Sequence, residues 1–419
     1  MKILHLSTSD LDGGAARAAY RLHKGMIEVG ADSRMLVRAK LGTDSSVIGH
    51  KTLVARVGSK LDGLPLKQYP QREATPFSTE WFPDSVVSKL RQINSDVVNL
   101  HWVCNGFLQI ESLPKFKKPL VWTLHDMWAF TGGCHYNQTC DRYKDSCGQC
   151  PQLHSNQQID LSYKILERKL KAWQDIDLTV VTPSQWLGKC ASDSRLFRQF
   201  RVEVIPNGID TNAYRPIDKQ TARSTLNLPQ NKRLVLFGVG STSRDPRKGF
   251  QYLLSALQLL DTEAWRERLE LVVFGRFEED NLPINFKTHS LGRLEGDDAL
   301  AAAYSAADVF VAPSVQDNLP NTIVEALACG TPCAAFNIGG MPDMIVQHQN
   351  GYLAEPFDIQ DLARGIRWIV ESTERHSQLC ARAREQALSH FDWRLQTEKY
   401  IDLYESILSK QSKRAKVLV

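Results

Sequence analysis

Pro313-Ser-Val-Gln-Asp-Asn-Leu-Pro-Asn-Thr-Ile-Val-Glu-Ala-Leu-Ala-Cys-Gly-Thr-Pro332 is the stretch whose reading decides the fold. An apolar run, Asp308-Val-Phe-Val-Ala312, precedes it, and a second, Cys333-Ala-Ala-Phe336, follows. Strand, polar loop, short helix, turn and strand is the order this pattern predicts. Asp317 and Glu325 bracket the loop with seven residues between them. A helix that starts at the carboxyl end of a parallel strand turns its free amides and the positive end of its dipole outward, which suits a phosphate. Glu325, early on that helix, can accept hydrogen bonds from a pair of sugar hydroxyls. The pattern therefore points to a sugar-nucleotide site.

The same segment resembles the signature of the retaining glycosyltransferases of family 4, an acid-x7-Glu pair followed by Ala and by Cys-Gly-x-Pro. Here it reads Asp317-x7-Glu325, then Ala326, Cys329, Gly330 and Pro332. The resemblance implies that Glu325 binds the nucleotide ribose, that Asp317 lies beside the transferred sugar, and that Asn318, Leu319, Pro320 and Asn321 border the diphosphate. Two departures stand out: Asp317 is shorter than the family's glutamate, and Pro320, where the family often has Gly, lacks an amide donor. Thr322-x-x-Glu325 also fits a capping box, in which Glu325 would only satisfy backbone amides.

Length and composition set the frame. A chain of 419 residues exceeds one ordinary core, so about two or three domains are expected. With 42% apolar residues, 23% charged residues and a net charge of +4, it has a globular composition and no nucleic-acid signature. The opening Met1-Lys-Ile-Leu-His-Leu-Ser is too short an apolar run for a signal peptide, and no window reaches transmembrane length. A cytoplasmic protein is expected, and its nine cysteines are then thiols or metal ligands before disulfides.

Lys2 to Thr8 reads as a buried strand, and Gly13-Gly14 opens a helix that Gly30 ends. Strand, glycine turn and helix is the opening of a doubly wound sheet. In the resembled family this glycine pair lies near the donor phosphate and acceptor. Residues 58–83 keep no period and read as a loop with a short helix, on the acceptor side by resemblance. Two further apolar strands end in His101 and His125, where ligands of open parallel sheets bind. Their contexts, His-Trp…Asn-Gly and Thr-Leu-His-Asp, match the family's two N-domain histidine positions, which implies contact of His125 first and His101 second with the donor sugar.

Cys134, Cys140, Cys147 and Cys150 follow within 17 residues, enough thiolates for a tetrahedral structural zinc. Their spacing is equally open to two disulfides or to free thiols. This cluster is outside the general family pattern and marks a subgroup. Ile205-Pro-Asn-Gly-Ile-Asp210 resembles the family's inter-domain linker. Beyond it, Arg233-Leu-Val-Leu-Phe-Gly leads to Arg244, Arg247 and Lys248 before a helix, cations suited to a diphosphate. Lys248 matches the family's lysine; its arginine has no aligned counterpart, so Arg244 or Arg247 stands in for it.

The fold class expected is α/β. By resemblance it is the GT-B architecture, two doubly wound, Rossmann-like parallel-sheet domains facing across a cleft. Residues 1–210 form the acceptor-side domain, with the Cys-rich loop 134–150 and completed by a C-terminal helix from 391–419; residues 211–390 bind the nucleotide sugar. The function implied is retaining transfer of a sugar from a nucleotide-diphosphate donor to a glycan or lipid-linked acceptor, in polysaccharide biosynthesis. It needs no catalytic metal. Alternatives of the same plan are a nucleotide-sugar epimerase or hydrolase and a non-catalytic partner in a polysaccharide assembly. The basic tail Lys410 to Lys416 suits peripheral contact with anionic lipid.

Overall fold

The computed structural model describes residues 1–239, 245–276 and 282–417, with side chains through 411. It divides into two compact units, residues 1–206 with 396–419, and residues 207–395.

The N-terminal unit is built on seven parallel strands: β1 (Lys2–Ser9), β2 (Asp32–Ala39), β3 (Val47–Gly49), β4 (Val97–Leu100), β5 (Leu120–Thr123), β6 (Leu178–Thr182) and β7 (Arg201–Val204). Their order is β3-β2-β1-β4-β5-β6-β7, so the winding reverses between β1 and β4. Every central strand is buried on both faces, which explains the near-continuous apolar runs. One face carries Leu4, Leu6, Val98, Leu100 and Trp122; the opposite face carries Ile3, Val97, Val121 and Val181. The last helix, Trp393–Val417, lays Tyr400, Leu403, Tyr404 and Ile407 on that second face at helical spacing. Each such side chain contributes about 1.5–3 kcal/mol on burial, enough to hold the returning segment.

The segment 58–83, which reads as a loop with a short helix, starts in the helix Leu53–Leu61 and carries a 3-10 turn, Leu64–Gln68; Gly106 packs so closely on the Gly58 carbonyl that a Cβ would lie 2.5 Å from that oxygen. The buried Glu80 carboxylate accepts from the Gly106 amide at 3.0 Å. Long-range partners pin this segment, and no local periodicity reveals such partners.

The C-terminal unit holds β8 (Arg233–Gly238), β9 (Leu269–Phe274), β10 (Thr288–Ser290), β11 (Val309–Ala312), β12 (Cys333–Phe336) and β13 (Gly351–Ala354), all parallel, ordered β10-β9-β8-β11-β12-β13. Here the reversal falls between β8 and β11. Both linkers belong to this unit: Ile209 donates to the Phe391 carbonyl at 2.8 Å and Trp393 donates back to Ile209 at 3.0 Å. That bridge carries residues 207–210 and 391–395 with the C-terminal unit, whereas the sequence reading cut at 210 and 390.

Candidate active site

In an open parallel sheet, ligands bind beyond the carboxyl ends of the strands where the winding reverses. The C-terminal reversal brings together the loops after β8 and β11. Pro246–Lys248 is a short 3-10 turn closed by Gly249 at φ +70°. A Cβ on Gly249 would sit 1.8 Å from the Pro313 carbonyl oxygen, and Val315 donates to the Arg247 carbonyl at 2.8 Å. Glycine is required there because the two loops meet backbone to backbone.

This stitching delivers two cations to one carboxylate. Asp317 is 6% exposed, and its Oδ2 accepts from Lys248 Nζ at 2.7 Å and from Arg247 Nη1 at 3.2 Å. Its Oδ1 accepts from the Asn318 amide at 3.0 Å. Burial alone would raise the Asp317 carboxyl; the charges of Lys248 and Arg247 outweigh it and hold the group below the usual carboxylate range. The loop is backed by Gly339 and Gly340, the latter donating to the Asp317 carbonyl at 3.2 Å. Gly339 has φ +53°, and a Cβ on it would lie 2.2 Å from that oxygen.

Glu325, 4% exposed, lies within the helix Asn321–Ala328, and its Oε2 accepts from Tyr304 Oη at 3.0 Å. The helix begins at Asn321 after Pro320, with no side-chain cap. Thr322 is therefore inside the helix and the capping box does not form. Asn318 and Pro320 are buried, and Leu319 turns its side chain into the core. Arg244 lies outside the described residues.

At the N-terminal reversal, Gly13 opens the helix Gly13–Glu28 at φ +87° with open space where a Cβ would be, followed by Gly14. His101 and His125 follow the neighbouring strands β4 and β5. They are joined, His101 Nδ1 to His125 Nε2 at 3.2 Å, and a third imidazole continues the row: His5 Nδ1 lies 3.0 Å from His101 Nε2. Burial lowers the pKa of all three, that of His125 to about 4, so the row is neutral. Asp126, next to His125, instead accepts from His135 Nδ1 at 2.6 Å and Trp102 Nε1 at 2.9 Å.

The four clustered cysteines line one small cavity with Phe77 and Tyr143, and none is in a disulfide. Among the described residues no three or more His, Cys, Asp or Glu are placed to hold a metal ion. Their sulfurs share a cavity without forming a coordination shell.

Sequence reasoning missed His5 and Tyr304. His5 reads as one residue of a buried strand, though His5, Ser7 and Ser9 alternate with apolar neighbours and mark a polar row. Tyr304 is the one aromatic in Asp297–Ala306, an Ala-rich helix.

The family model described as glycosyl transferases group 1 matches residues 218–386, and the model described as Glycosyltransferase Family 4 matches residues 12–213. The D-inositol 3-phosphate glycosyltransferase of Streptosporangium roseum is 32% identical over 223 residues, covering 50% of each chain. The chain thus spans about half the length of this curated relative. The Escherichia coli protein named as the colanic acid biosynthesis glycosyl transferase WcaC is 25% identical over 80% of this chain and 83% of its own. Anabaena HepE, solved in complex with UDP and glucose, superposes with a TM-score of 0.64 at 20% identity, covering 97% of this chain and 100% of its own.

Proposed function

This chain belongs to the group 1 glycosyltransferases and has the GT-B fold, and from that premise we propose that it is a retaining glycosyltransferase. It moves a sugar from a nucleotide-diphosphate donor to a hydroxyl of a glycan or lipid-linked acceptor in polysaccharide biosynthesis. The carrying observation is the cluster at the β8/β11 reversal: a buried carboxylate holding two cations, with a second buried carboxylate eight residues on in the following helix.

In this reading Glu325, oriented by Tyr304, accepts from the two ribose hydroxyls. Lys248 and Arg247 supply charge-assisted bonds to the diphosphate, beside backbone groups of Asn318, Leu319, Pro320 and Asn321. Asp317 keeps both cations in place and accepts from hydroxyls of the transferred sugar. In the N-terminal unit, taken by itself, His125 and His101 are suited to a sugar and Gly13 and Gly14 to a phosphate or an acceptor. No side chain is required as nucleophile: the departing phosphate oxygen takes the acceptor proton on the same face as attack. Stabilisation of the diphosphate charge is then the main catalytic contribution, supplied by cations and amides without a metal.

A screen of nucleotide sugars by thermal shift and by nucleotide-diphosphate release, with and without chelator, tests this. One nucleotide class should stabilise the protein, by about 2.7 kcal/mol at a hundredfold excess over Kd, and be turned over with chelator present. Absence of any shift would sink the donor site; binding without turnover would make the chain a non-catalytic partner. Nine unbonded cysteines are consistent with a cytoplasmic location. Among the described residues no helix is long and apolar enough to cross a membrane, and peripheral contact through the basic tail belongs to the same proposal.

The zinc site is likewise a proposal, structural in role. Burial pushes the Cys147 and Cys150 thiols up, Cys147 to about 12, and the Gly132 amide at Cys147 and the Leu153 and Gln152 amides at Cys150 only partly offset it, so thiolates there would need the metal's charge. Lys169 is fully buried against Trp128, with carbonyl acceptors but no carboxylate partner among the described residues, near Cys134 and Cys147. Zinc would need the four sulfurs to close inward. Elemental analysis should find one zinc per chain; four freely titrating thiols and no metal would dismiss it.

A further inference from the structure

The helix Leu53–Leu61 is built inside out. A surface helix ordinarily turns its large apolar side chains to the core and its charges to solvent. Here the buried residues are the two smallest, Ala55 and Gly58, while Val54 is exposed and Leu53 is 76% exposed, the highest of any large apolar side chain among the described residues. Gly58 gives the reason: a Cβ on it would lie 2.9 Å from the Gly106 carbonyl oxygen, so backbone meets backbone and the inner face has no room for a large residue. The 3-10 turn that follows, Leu64–Gln68, buries Leu66 and leaves Leu64 exposed.

Charge on this surface is one-sided. Lys51, Arg56, Lys60 and Lys67 are all exposed. The one acid between Lys51 and Arg72, Asp62, turns inward, where its carboxylate accepts from the Thr79 hydroxyl at 2.8 Å and the Thr79 amide at 3.2 Å. Arg56 and Val57 follow Leu53 by three and four residues and Lys60 follows Arg56 by four, so cations and branched apolar side chains share the outward face. The patch continues along the sheet edge. β1, β2 and β3 are parallel neighbours, so the chain leaves their carboxyl ends at one rim. Each exit carries an exposed leucine: Leu11 after β1, Leu41, 63% exposed, after β2, and Leu53 after β3. The exits adjoin, since a Cβ on Gly42 would lie 3.2 Å from Leu11, and one on Gly49 would lie 3.4 Å from Lys40 and 3.7 Å from Lys51.

We propose that this rim, with the helix Leu53–Leu61 foremost, docks on a bilayer surface that carries anionic lipid. The branched side chains enter the boundary of the acyl chains, and the cations reach the lipid phosphates above it. Charge selects this occupant. In a two-fold contact with a second copy the cations would face their own kind, whereas an anionic surface meets all four. Leu11 and the Gly13-Gly14 pair follow the same strand end, so a bilayer docked here lies beside the N-terminal reversal. The proposal goes beyond the glycosyltransferase reading and rests on neither the donor site nor the basic tail.

Flotation of the full chain with lipid vesicles tests this. The protein should bind vesicles of phosphatidylcholine and phosphatidylglycerol in a two-to-one ratio, hardly bind phosphatidylcholine alone, and be weakened by salt. Leu53→Ser with Val54→Ser should weaken binding about tenfold or more. Lys51→Gln, Arg56→Gln and Lys60→Gln together should weaken it about a hundredfold, about fivefold for each cation. Both variants leave the buried face of the helix untouched, so their melting temperatures should match that of the unsubstituted chain. Lys410→Gln, Lys413→Gln, Arg414→Gln and Lys416→Gln together should leave most of the binding in place. Failure to bind the anionic vesicles, or loss of binding in the tail variant with both helix variants unaffected, would overturn the proposal. Dimerisation in solution that Leu53→Ser with Val54→Ser abolishes would give this face to a second copy and overturn it as well. Failure of all nucleotide sugars to bind would instead strike the glycosyltransferase reading and leave the vesicle result standing.

Discussion

The two sheet reversals have the same topology and opposite electrostatics. At β8/β11 a buried carboxylate is held by two cations, and a second carboxylate lies in the next helix. At β1/β4 the row is two buried imidazoles, His5 and His101, and part-exposed His125, all kept neutral by desolvation. One corner is built to meet charge; the other is built to stay uncharged. A charged corner suits a diphosphate and a neutral one suits hydroxyls, and each unit carries one of the two, a division between binding charge and orienting neutral groups.

Acid should separate the corners most. His23 and His125 have values near 4 in the folded protein against about 6.5 when unfolded. The unfolded chain then binds more protons below about pH 6.5, so stability is full above that pH and is lost on the way down to 4. From pH 7 to pH 5 each costs about 2 kcal/mol. Asp317 has a lowered folded value, so its contribution persists through that window and is lost only as pH falls through that value. Hydrogen exchange corrected for intrinsic rates should show β1, β4 and β5 loosening at pH 5 before β8 and β11. Earlier loosening of β8 would break the contrast.

Replacing the carboxylate in the helix should next separate binding from turnover. Glu325→Ala removes an acceptor of two charge-assisted bonds and should weaken nucleotide-sugar binding about a hundredfold. His125→Ala should leave that affinity nearly unchanged and lower turnover instead. Calorimetric titration of both variants decides, and equal loss of affinity would erase the proposed division.

How far these corners could be read from sequence follows the same contrast. The charged corner was legible because its parts are local: an acid, seven residues, an acid, and a Lys-Gly turn fixed by loop chemistry. What stayed hidden there was pairing, that Lys248 and Arg247 close on Asp317 itself, since a contact across 69 residues has no local trace. In the neutral corner His101 and His125 were visible as polar ends of apolar strands. His5 was not, because register with β4, rather than any spacing in the chain, puts its ring beside His101. The apolar run Cys333–Phe336 came out at its observed bounds as β12, and the opening strand within one residue of its end, while β3 and β10, three residues each, left no such pattern.

Removing one cation tests whether the charged corner is over-supplied. Lys248→Met leaves Arg247 on Asp317. Lys248 is 30% exposed, so solvent already screens the pair, and the stability loss should be about 1 kcal/mol rather than that of a fully buried ion pair. Nucleoside-diphosphate affinity should fall about tenfold, with nucleoside monophosphate less affected. Equal effects on both would place Lys248 away from the distal phosphate.

The smallest effect is the most local. Tyr304 is buried at the edges of Phe274 and Phe310, and only its hydroxyl reaches Glu325. Burial first, and the Glu325 carboxylate second, push its phenol well above the ordinary value, so Tyr304 donates at every pH of interest. Tyr304→Phe keeps the packing and deletes one bond to a carboxylate, a loss of about 1–2 kcal/mol in unfolding free energy. If that bond also aims Glu325 at the ribose, nucleotide affinity should drop a few-fold while 2′-deoxyribose nucleotides, which lack one of the two hydroxyls, lose less. A stability loss with unchanged discrimination between ribose and deoxyribose would make Tyr304 a packing residue alone.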